Sequence, residues 1–184
     1  TGISYSGLII ATVILPLYYQ QVFQVSPFWS GLLLVPAAYI LSRLNPLAGK
    51  LLNRLGLKRL VWIGMALIAG GFLLLGTLGA HWLWWSVIGG ILLESGNAFT
   101  MMPALAAANN ALPKDLMSHG TALITTMRQV IGAASVVIAS GLIAYFADRL
   151  PYAQALLLTS RWLLLFPLLG LLLSFVLKTK KADK

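Results

Sequence analysis

Long apolar runs, separated by short polar or basic segments, make up most of the chain. Six of these runs are long enough to cross the roughly 30 Å hydrocarbon core of a bilayer as α-helices, which takes about 20 residues. Backbone polar groups need partners inside lipid, so we expect these runs to be helical. The pattern therefore predicts an all-α polytopic membrane protein whose six transmembrane helices span residues 3–22, 28–49, 60–79, 83–110, 119–146 and 161–177, followed by a tail at 178–184.

Composition indicates that lipid is the main solvent of this chain. Of its 184 residues, 59% are hydrophobic and only 9% are charged, and the mean hydropathy is +0.88. A soluble domain of this length needs more charge to cover its surface. The sequence contains no cysteine, which excludes disulfides, thiolate metal sites and cysteine nucleophiles.

The distribution of basic residues predicts an orientation. The net charge of +9 comes from 13 Lys and Arg against 4 Asp and Glu, and the basic residues lie between apolar blocks. They are not interleaved with exposed aromatic residues on a polar face, so we expect no nucleic-acid partner. The positive-inside rule assigns the more basic side to the cytoplasm, which places both chain ends and the basic tail there, in the cytoplasmic (inner) membrane. The residues on this side are Lys50, Arg54, Lys58, Arg59, Lys114, Lys178, Lys180, Lys181 and Lys184.

Tryptophan positions agree with the predicted helix ends. An indole ring prefers the headgroup boundary over the hydrocarbon centre. Trp62 falls at a predicted inner end, and the remaining five fall at predicted outer ends: Trp29, Trp82, Trp84, Trp85 and Trp162.

Polar residues are shared unequally among the six predicted helices. The first, fourth and fifth helices carry most of them, whereas the third and sixth carry few. An unpaired polar group facing lipid costs several kcal/mol. We therefore expect the first, fourth and fifth helices to face protein or a water-filled cavity, and the third and sixth to face lipid.

Glu94 is the one acidic residue within the predicted spans. It lies about twelve residues past Trp82, which is roughly 18 Å into the membrane. A lone carboxylate at that depth is costly unless it binds a proton or a cation. Glu94 is therefore our candidate for proton coupling or cation binding. The alternative is a structural carboxyl group hydrogen-bonded to Ser95, Asn97 or a neighbouring helix.

Arg128 lies about 15 Å from the cytoplasmic end of the fifth predicted helix. It is a candidate for pairing with a carboxylate, for binding anionic groups or for tuning a proton site. The alternatives are a packing role against backbone carbonyls, or an arginine whose guanidinium reaches the inner interface. The estimated depths of Arg128 and Glu94 differ by more than about 10 Å, which argues against a direct salt bridge. The sequence leaves open whether the two residues interact.

Residue patterns that would indicate an enzyme are missing from the sequence. The two histidines, His81 and His119, lie at predicted helix ends without metal-ligand spacing. The sequence shows no Ser/His/Asp arrangement and no phosphate-binding loop. We therefore expect no enzymatic activity, no cofactor and no metal site.

Three segments of the chain carry recognisable motifs. The first comprises residues 15–21, 26–27 and 30–36, the second 46–50, 53–56 and 58–59, and the third 102–104, 110–113, 118–122 and 127–132. In this order they resemble the major facilitator superfamily, in particular its fourteen-helix drug:proton antiporter branch (EmrB/QacA type). The third segment is also similar to Gram-positive lincomycin-type efflux proteins.

The resemblance implies that the chain is the C-terminal six-helix half of a transporter. Such proteins export lipophilic drugs in exchange for protons, and the substrate is held between two helical bundles that alternate access. The implied partners are membrane lipid, the N-terminal bundle, a small lipophilic substrate and protons. The chain starts with Thr-Gly and is apolar within three residues. We therefore expect a boundary inside or near a first helix.

The resemblance also assigns roles to residues. The basic connection matches the family's cytoplasmic gating motif, although Asn53 stands where the family has an aspartate, which weakens a charge-relay role. The matching residues are Gly49, Lys50, Asn53, Arg54, Gly56, Lys58 and Arg59. The polar candidates for the transport cavity are Arg128, Asn97, Thr100, Gln20, Gln21, Tyr18 and Tyr19.

Two alternatives to drug export stay open. The same fold could serve a specific nutrient, metabolite or siderophore. The chain could also be a membrane scaffold subunit that transports nothing itself.

Overall fold

The computed structural model describes residues 2–110, 113 and 117–176, and within these residues every regular element is helical. Lys114, the basic tail and their predicted roles lie outside the described residues. The elements are α1 (Gly2–Leu17) with a π-helical turn (Tyr18–Val22), α2 (27–55), α3 (57–77), α4 (Leu83–Asn110), α5 (Met117–Ala147), α6 (Tyr152–Leu163) and α7 (Leu165–Val176).

Four helical stretches in the described residues are long and apolar enough to cross a membrane. One of them, Pro27–Thr77, has 51 residues. Its contour length of about 76 Å is more than twice a hydrocarbon core. Helix α4 is long enough at 28 residues, but polar side chains lower its hydropathy. That the chain crosses the membrane six times therefore remains a prediction.

Gly56 divides the stretch Pro27–Thr77 into α2 and α3. Its φ of 76° and ψ of 159° lie in a region that glycine adopts readily and other residues do not. We expected a non-helical connection over residues 50–59, and this expectation is wrong. The residues on both sides of Gly56 are helical, because Leu, Lys and Arg are good helix formers.

Contacts between helices show that their directions alternate along the chain. Gly64 of α3 lies against Thr100 of α4, and Leu75 further along α3 lies against Gly89, so these two helices are antiparallel. Helix α1 runs with α3 and α5 and against α4 and α7. The contacts that show this are Gly7–Ile68, Tyr18–Leu75, Gly2–Ile131, Ser6–Ser135, Leu15–Gly90 and Ile3–Gly170.

Helices α3 and α4 pack backbone to backbone, and we call this contact the glycine seam. It is formed by Gly64 and Gly71 of α3 with Gly89 and Gly96 of α4. A Cβ atom on Gly71 would lie 2.7 Å from Leu93 Cγ and 3.0 Å from the Gly89 carbonyl oxygen. Small residues at these positions allow the close approach by which membrane helices associate.

The glycine seam corrects one expectation from the sequence. We predicted that the third helix faces lipid, and α3 does expose Trp62, Ile63 and Leu73 on one side. Its other side is buried against α1, α4 and α7, which the count of polar residues did not predict because glycine packing leaves no polar signal. The sixth predicted helix does expose an apolar surface. Its exposed leucines are Leu165, Leu168, Leu169, Leu172 and Leu173.

Hydrogen bonds join the C-terminal ends of α1 and α3 to the last turns of α6. The Tyr18 hydroxyl group, in the π-helical turn, donates to the Leu75 carbonyl oxygen at 2.9 Å and lies 3.3 Å from Ser160 Oγ. Arg161 Nε donates to the Gly76 carbonyl oxygen at 2.7 Å. These bonds occupy carbonyls near the end of α3 that the helix itself leaves without partners.

The last predicted helix begins earlier than expected. Residues 152–160, which we expected in a connection, form most of α6. A break at Leu164 separates α6 from α7, and Pro167 follows within a turn. Proline has no backbone N–H, so the carbonyl of Leu163 loses its normal helical partner there.

Candidate functional site

The centre of the candidate site is the carboxyl group of Glu94 on α4. Glu94 is 8% exposed, and its side chain lines a cavity of about 310 Å³ between α1, α2 and α4. Its Oε2 atom is buried and has no hydrogen-bond partner within the described part of the chain. A buried carboxylate oxygen with no partner is costly, so this atom is suited to take a proton or a cation.

The walls around Glu94 are almost entirely apolar. Thr12 is the other polar residue of the lining, and its hydroxyl group donates to the Ile9 carbonyl oxygen at 2.7 Å. The remaining lining residues are Leu8, Ala11, Leu15, Leu34, Ala37, Ala38 and Leu41. The carboxyl group is therefore the single ionisable group that this cavity presents.

A second cavity, of about 510 Å³, adjoins the first along α2. Ala38 and Leu41 line both cavities. The second cavity extends to Gly49 on α2 and to Met102 and Ala106 on α4. Because Glu94 lies level with the first part of α2, and Ala106 with its later part, α2 and α4 run parallel.

Asn97 and Thr100 lie on α4 close to Glu94 but outside its cavity. Asn97 is fully buried, and its Nδ2 donates to the Leu93 carbonyl oxygen at 3.2 Å, while its Oδ1 has no partner. Thr100 donates to the Gly96 carbonyl oxygen and packs on Gly64 of the glycine seam. It also lines a separate, largely apolar cavity of about 560 Å³.

The polar candidates of the first predicted helix are dispersed. Tyr18 and Tyr19 are fully buried in the packed core, away from the cavity of Glu94. Gln20 Nε2 donates to Ser30 Oγ at 3.2 Å and so links α1 to α2, whereas Gln21 is exposed. The described structure thus does not bring these four residues together with Glu94.

Arg128 lies on α5 and stacks on Tyr5 of α1, with its guanidinium carbon 4.7 Å from the ring centroid. Within the described residues no ion pair joins Arg128 to Glu94. The same residues offer no hydrogen-bond partner to the buried Nε atom of Arg128. A cation over a tyrosine face is stabilised by the ring quadrupole, so Arg128 contributes to the packing of α1 on α5.

The basic connection at residues 49–59, around Gly56, lies between α2 and α3 at one end of the bundle. It is far along α2 from the level of Glu94. Gly49, Lys50, Asn53, Arg54 and Arg59 are exposed, while Gly56 and Lys58 are partly buried. We call this the basic end. No acidic side chain pairs with Lys50, Arg54 or Arg59 among the described residues.

Several contacts around the site could not be found from the sequence. Tyr5 was not singled out, although it packs on Gly132, where a Cβ atom would lie 2.8 Å from its ring. Ser6 accepts a hydrogen bond of 2.7 Å from Ser135, and this bond joins α1 to α5. Such pairs are far apart in the chain, and only the folded structure shows that they meet. The one available signal was the run of small residues around Gly132.

The alternating helices, the basic turn and the cavity around a buried carboxyl group allow a direct comparison with known proteins. The model of the Major Facilitator Superfamily matches residues 1–136. The chain belongs to the Major Facilitator Superfamily. This confirms the family predicted from the three motif segments. The members of this family are transporters and not enzymes. Together with the long apolar helices, membership shows that the chain is part of an integral membrane protein.

Relatives within this family match the chain over most of its length. The chain is 39% identical over 129 residues to the uncharacterized MFS-type transporter YcnB of Bacillus subtilis, and the match covers 69% of the chain and 27% of the relative. It is 33% identical over 139 residues to the lincomycin resistance protein LmrB of Listeria innocua, covering 74% and 29%. It is 32% identical over 145 residues to a multidrug resistance protein B homolog of Mycobacterium tuberculosis, covering 76% and 26%.

The match covers only part of each relative. The chain spans less than a third of the length of each. No solved structure matches the chain.

Proposed function

We propose that this member of the Major Facilitator Superfamily is the C-terminal six-helix half of a drug:proton antiporter in the cytoplasmic membrane. The single observation that carries the proposal is the 8% exposed carboxyl group of Glu94, whose Oε2 atom has no partner among the described residues, in an almost entirely apolar cavity. The resistance functions named for LmrB and the multidrug resistance homolog support a lipophilic drug as the exported substrate.

The chemistry of coupling follows from one observation: no counter-ion lies beside Glu94 among the residues that the structure describes. Arg128 stacks on Tyr5 and does not compensate the charge of Glu94. A charged carboxylate in this cavity needs a proton or a cationic ligand beside it. Glu94 would therefore bind a proton from one side of the membrane and release it when access changes to the other side.

The experiment compares proton movement and drug export in the full-length protein. Substrate added to vesicles should drive proton flux with Glu94 present, and Glu94→Gln should abolish that flux, because an amide cannot exchange a proton. Asp148→Asn makes the same chemical change at an exposed residue outside the cavity and should leave the flux intact. Proton-coupled export that continues unchanged in Glu94→Gln would disprove the coupling role.

The orientation of the bundle needs its own test. We place the basic end in the cytoplasm, where Lys50 and Arg54 would meet acidic residues of the N-terminal bundle. The chain has no cysteine, so single cysteines report sidedness without interference from within it. Lys50→Cys should react with an impermeant maleimide only from the cytoplasmic side, and Asp148→Cys only from the outside. The reverse pattern would overturn the orientation.

A further inference from the structure

The first turns of α3 carry a surface hollow, which we call the α3 hollow. Its volume is about 410 Å³, and among the described residues its walls are Lys58, Arg59, Trp62 and Ile63. All four belong to α3, so the hollow opens away from the other helices. Trp62 and Ile63 are 38% and 43% exposed, whereas Val61, on the opposite side of α3, is 6% exposed and packs in the core. The hollow shares no lining residue with the cavities beside α4.

The α3 hollow combines positive charge with an apolar surface at the level of the lipid headgroups. Lys58 and Arg59 lie in the first turn of α3, and Trp62 and Ile63 follow about 6 Å further along the helix. Arg59 is exposed and pairs with no acidic side chain among the described residues. Of the six tryptophans, Trp62 is the one near the basic end. Because an indole ring prefers the headgroup boundary, Trp62 sets the first turn of α3 at that depth.

We propose that the α3 hollow binds an anionic phospholipid of the phosphatidylglycerol type from the leaflet at the basic end. The headgroup phosphate accepts hydrogen bonds from Arg59 and Lys58, and the upper part of an acyl chain lies on Trp62 and Ile63. A zwitterionic lipid has the same phosphate, but its own cationic group weakens the attraction to the basic pair. The site goes beyond the proposed transport function and needs neither Glu94 nor proton coupling.

Two other partners fit the α3 hollow less well. Inorganic phosphate would contact the basic pair but leave the exposed surface of Trp62 and Ile63 without an apolar partner. The N-terminal bundle of the proposed transporter would lie across the cavity of Glu94, on the side of α4. Gly64 packs on α4 from the side of α3 that faces away from the hollow. Charge complementarity and this direction therefore both favour a lipid.

Quenching by brominated lipids tests the α3 hollow in the full-length protein, with any cysteine outside this chain replaced. A bimane label on Ile63→Cys reports on lipid in the hollow, because bromine on an acyl chain quenches fluorescence only at short range. Brominated phosphatidylglycerol should bind there about fivefold more tightly than brominated phosphatidylcholine, the factor expected for one basic group beside an anionic headgroup. A label on Leu73→Cys, a 53% exposed position at the other end of α3, should show no preference.

Matched variants separate the α3 hollow from the rest of the basic end. Lys58→Gln combined with Arg59→Gln should remove the preference reported at Ile63→Cys. Lys50→Gln combined with Arg54→Gln takes the same charge from α2, outside the hollow, and should leave the preference in place. Lys58→Arg combined with Arg59→Lys keeps both charges and should also keep it. Because the two charges are at the membrane surface, about 1 M salt should weaken the preference.

Each contrary outcome overturns the lipid site in a distinct way. Equal binding of the two lipids at Ile63→Cys would show that the hollow does not select an anionic headgroup. Quenching by neither lipid would show that protein covers the hollow, as an acidic partner would. An equal loss from the pair Lys50 and Arg54 would assign the preference to the total charge of the basic end. Proton flux in Glu94→Gln bears on the proposed function alone and leaves the lipid site unaffected.

Discussion

Helix α4 has two sides of opposite character. Toward α3 it forms the glycine seam, where Gly71 and Gly89 leave no room for a Cβ atom. Toward α2 it leaves cavities, and there it carries the buried carboxyl group of Glu94. One helix is thus fixed tightly on one side while its other side remains open.

The difference between the two sides of α4 shows where cavities between helices are compatible with a stable bundle. A membrane helix is held by close packing, because lipid supplies no hydrophobic driving force between helices. The seam supplies that packing along α3 and α4. The opposite side can then remain loosely filled, and a polar group placed there has room for a ligand.

The largest effect should come from filling the seam. Gly71→Leu forces a side chain into Leu93 and the Gly89 carbonyl oxygen, and should destabilise the protein by about 3 kcal/mol or more. The neighbouring Gly70→Leu, where nothing lies within 4 Å, should be neutral or stabilise the protein by up to about 1 kcal/mol. Unfolding in mixed detergent micelles measures both. Equal losses in the two variants would refute the seam.

A smaller effect should follow from changing the turn that directs α2 and α3 to opposite sides of α4. Gly56→Ala places a Cβ atom at a φ of 76° and should cost about 1–3 kcal/mol. Gly49→Ala, in a helix with nothing within 4 Å, should be neutral or stabilise by up to about 1 kcal/mol. The same unfolding measurement compares them. A tolerated Gly56→Ala would mean that the turn does not need its backbone conformation.

The hydrogen bond that joins the end of α1 to α3 should contribute less to stability. Tyr18→Phe removes the hydrogen bond to the Leu75 carbonyl oxygen and should cost about 1 kcal/mol. Tyr145→Phe, at a 57% exposed position, serves as the control and should have no measurable effect. Thermal unfolding of both variants gives the difference. If Tyr18→Phe matches its control, the hydrogen bond contributes nothing to holding α1 on α3.

The smallest effect should be on the open side of α4. Ala38→Val adds two methyl groups at an exposed position that borders both cavities, and should change stability by less than about 0.5 kcal/mol. Its unfolding midpoint should match that of the unchanged protein. A loss as large as that of Gly71→Leu would show that the two sides of α4 do not differ.

Much of the helical architecture could be predicted from the sequence, because apolar runs and tight turns are local features. Residues 83–110 were predicted as one helix, and the structure gives the same bounds. The burial of Glu94 followed from its position in an apolar run. The helical turns on both sides of Gly56 were missed, because basic residues and a glycine also occur in loops.

The arrangement of the site could not be predicted in the same way. Tyr18 and Tyr19 were expected at a cavity, but their rings fill the packed core. The seam partners Gly64 and Thr100 are 36 positions apart, and a single sequence does not show that they meet. Which side of a helix faces its neighbours depends on such long-range contacts, so a count of polar residues did not reveal the buried side of the third helix.

Gly56 also bears on how the protein is made. A single non-helical residue between α2 and α3 leaves no connecting segment that could be handled by itself during synthesis. The two helices should therefore leave the insertion machinery as one hairpin, which in the proposed orientation keeps the basic residues around Gly56 in the cytoplasm. The orientation of α3 is then decided together with that of α2.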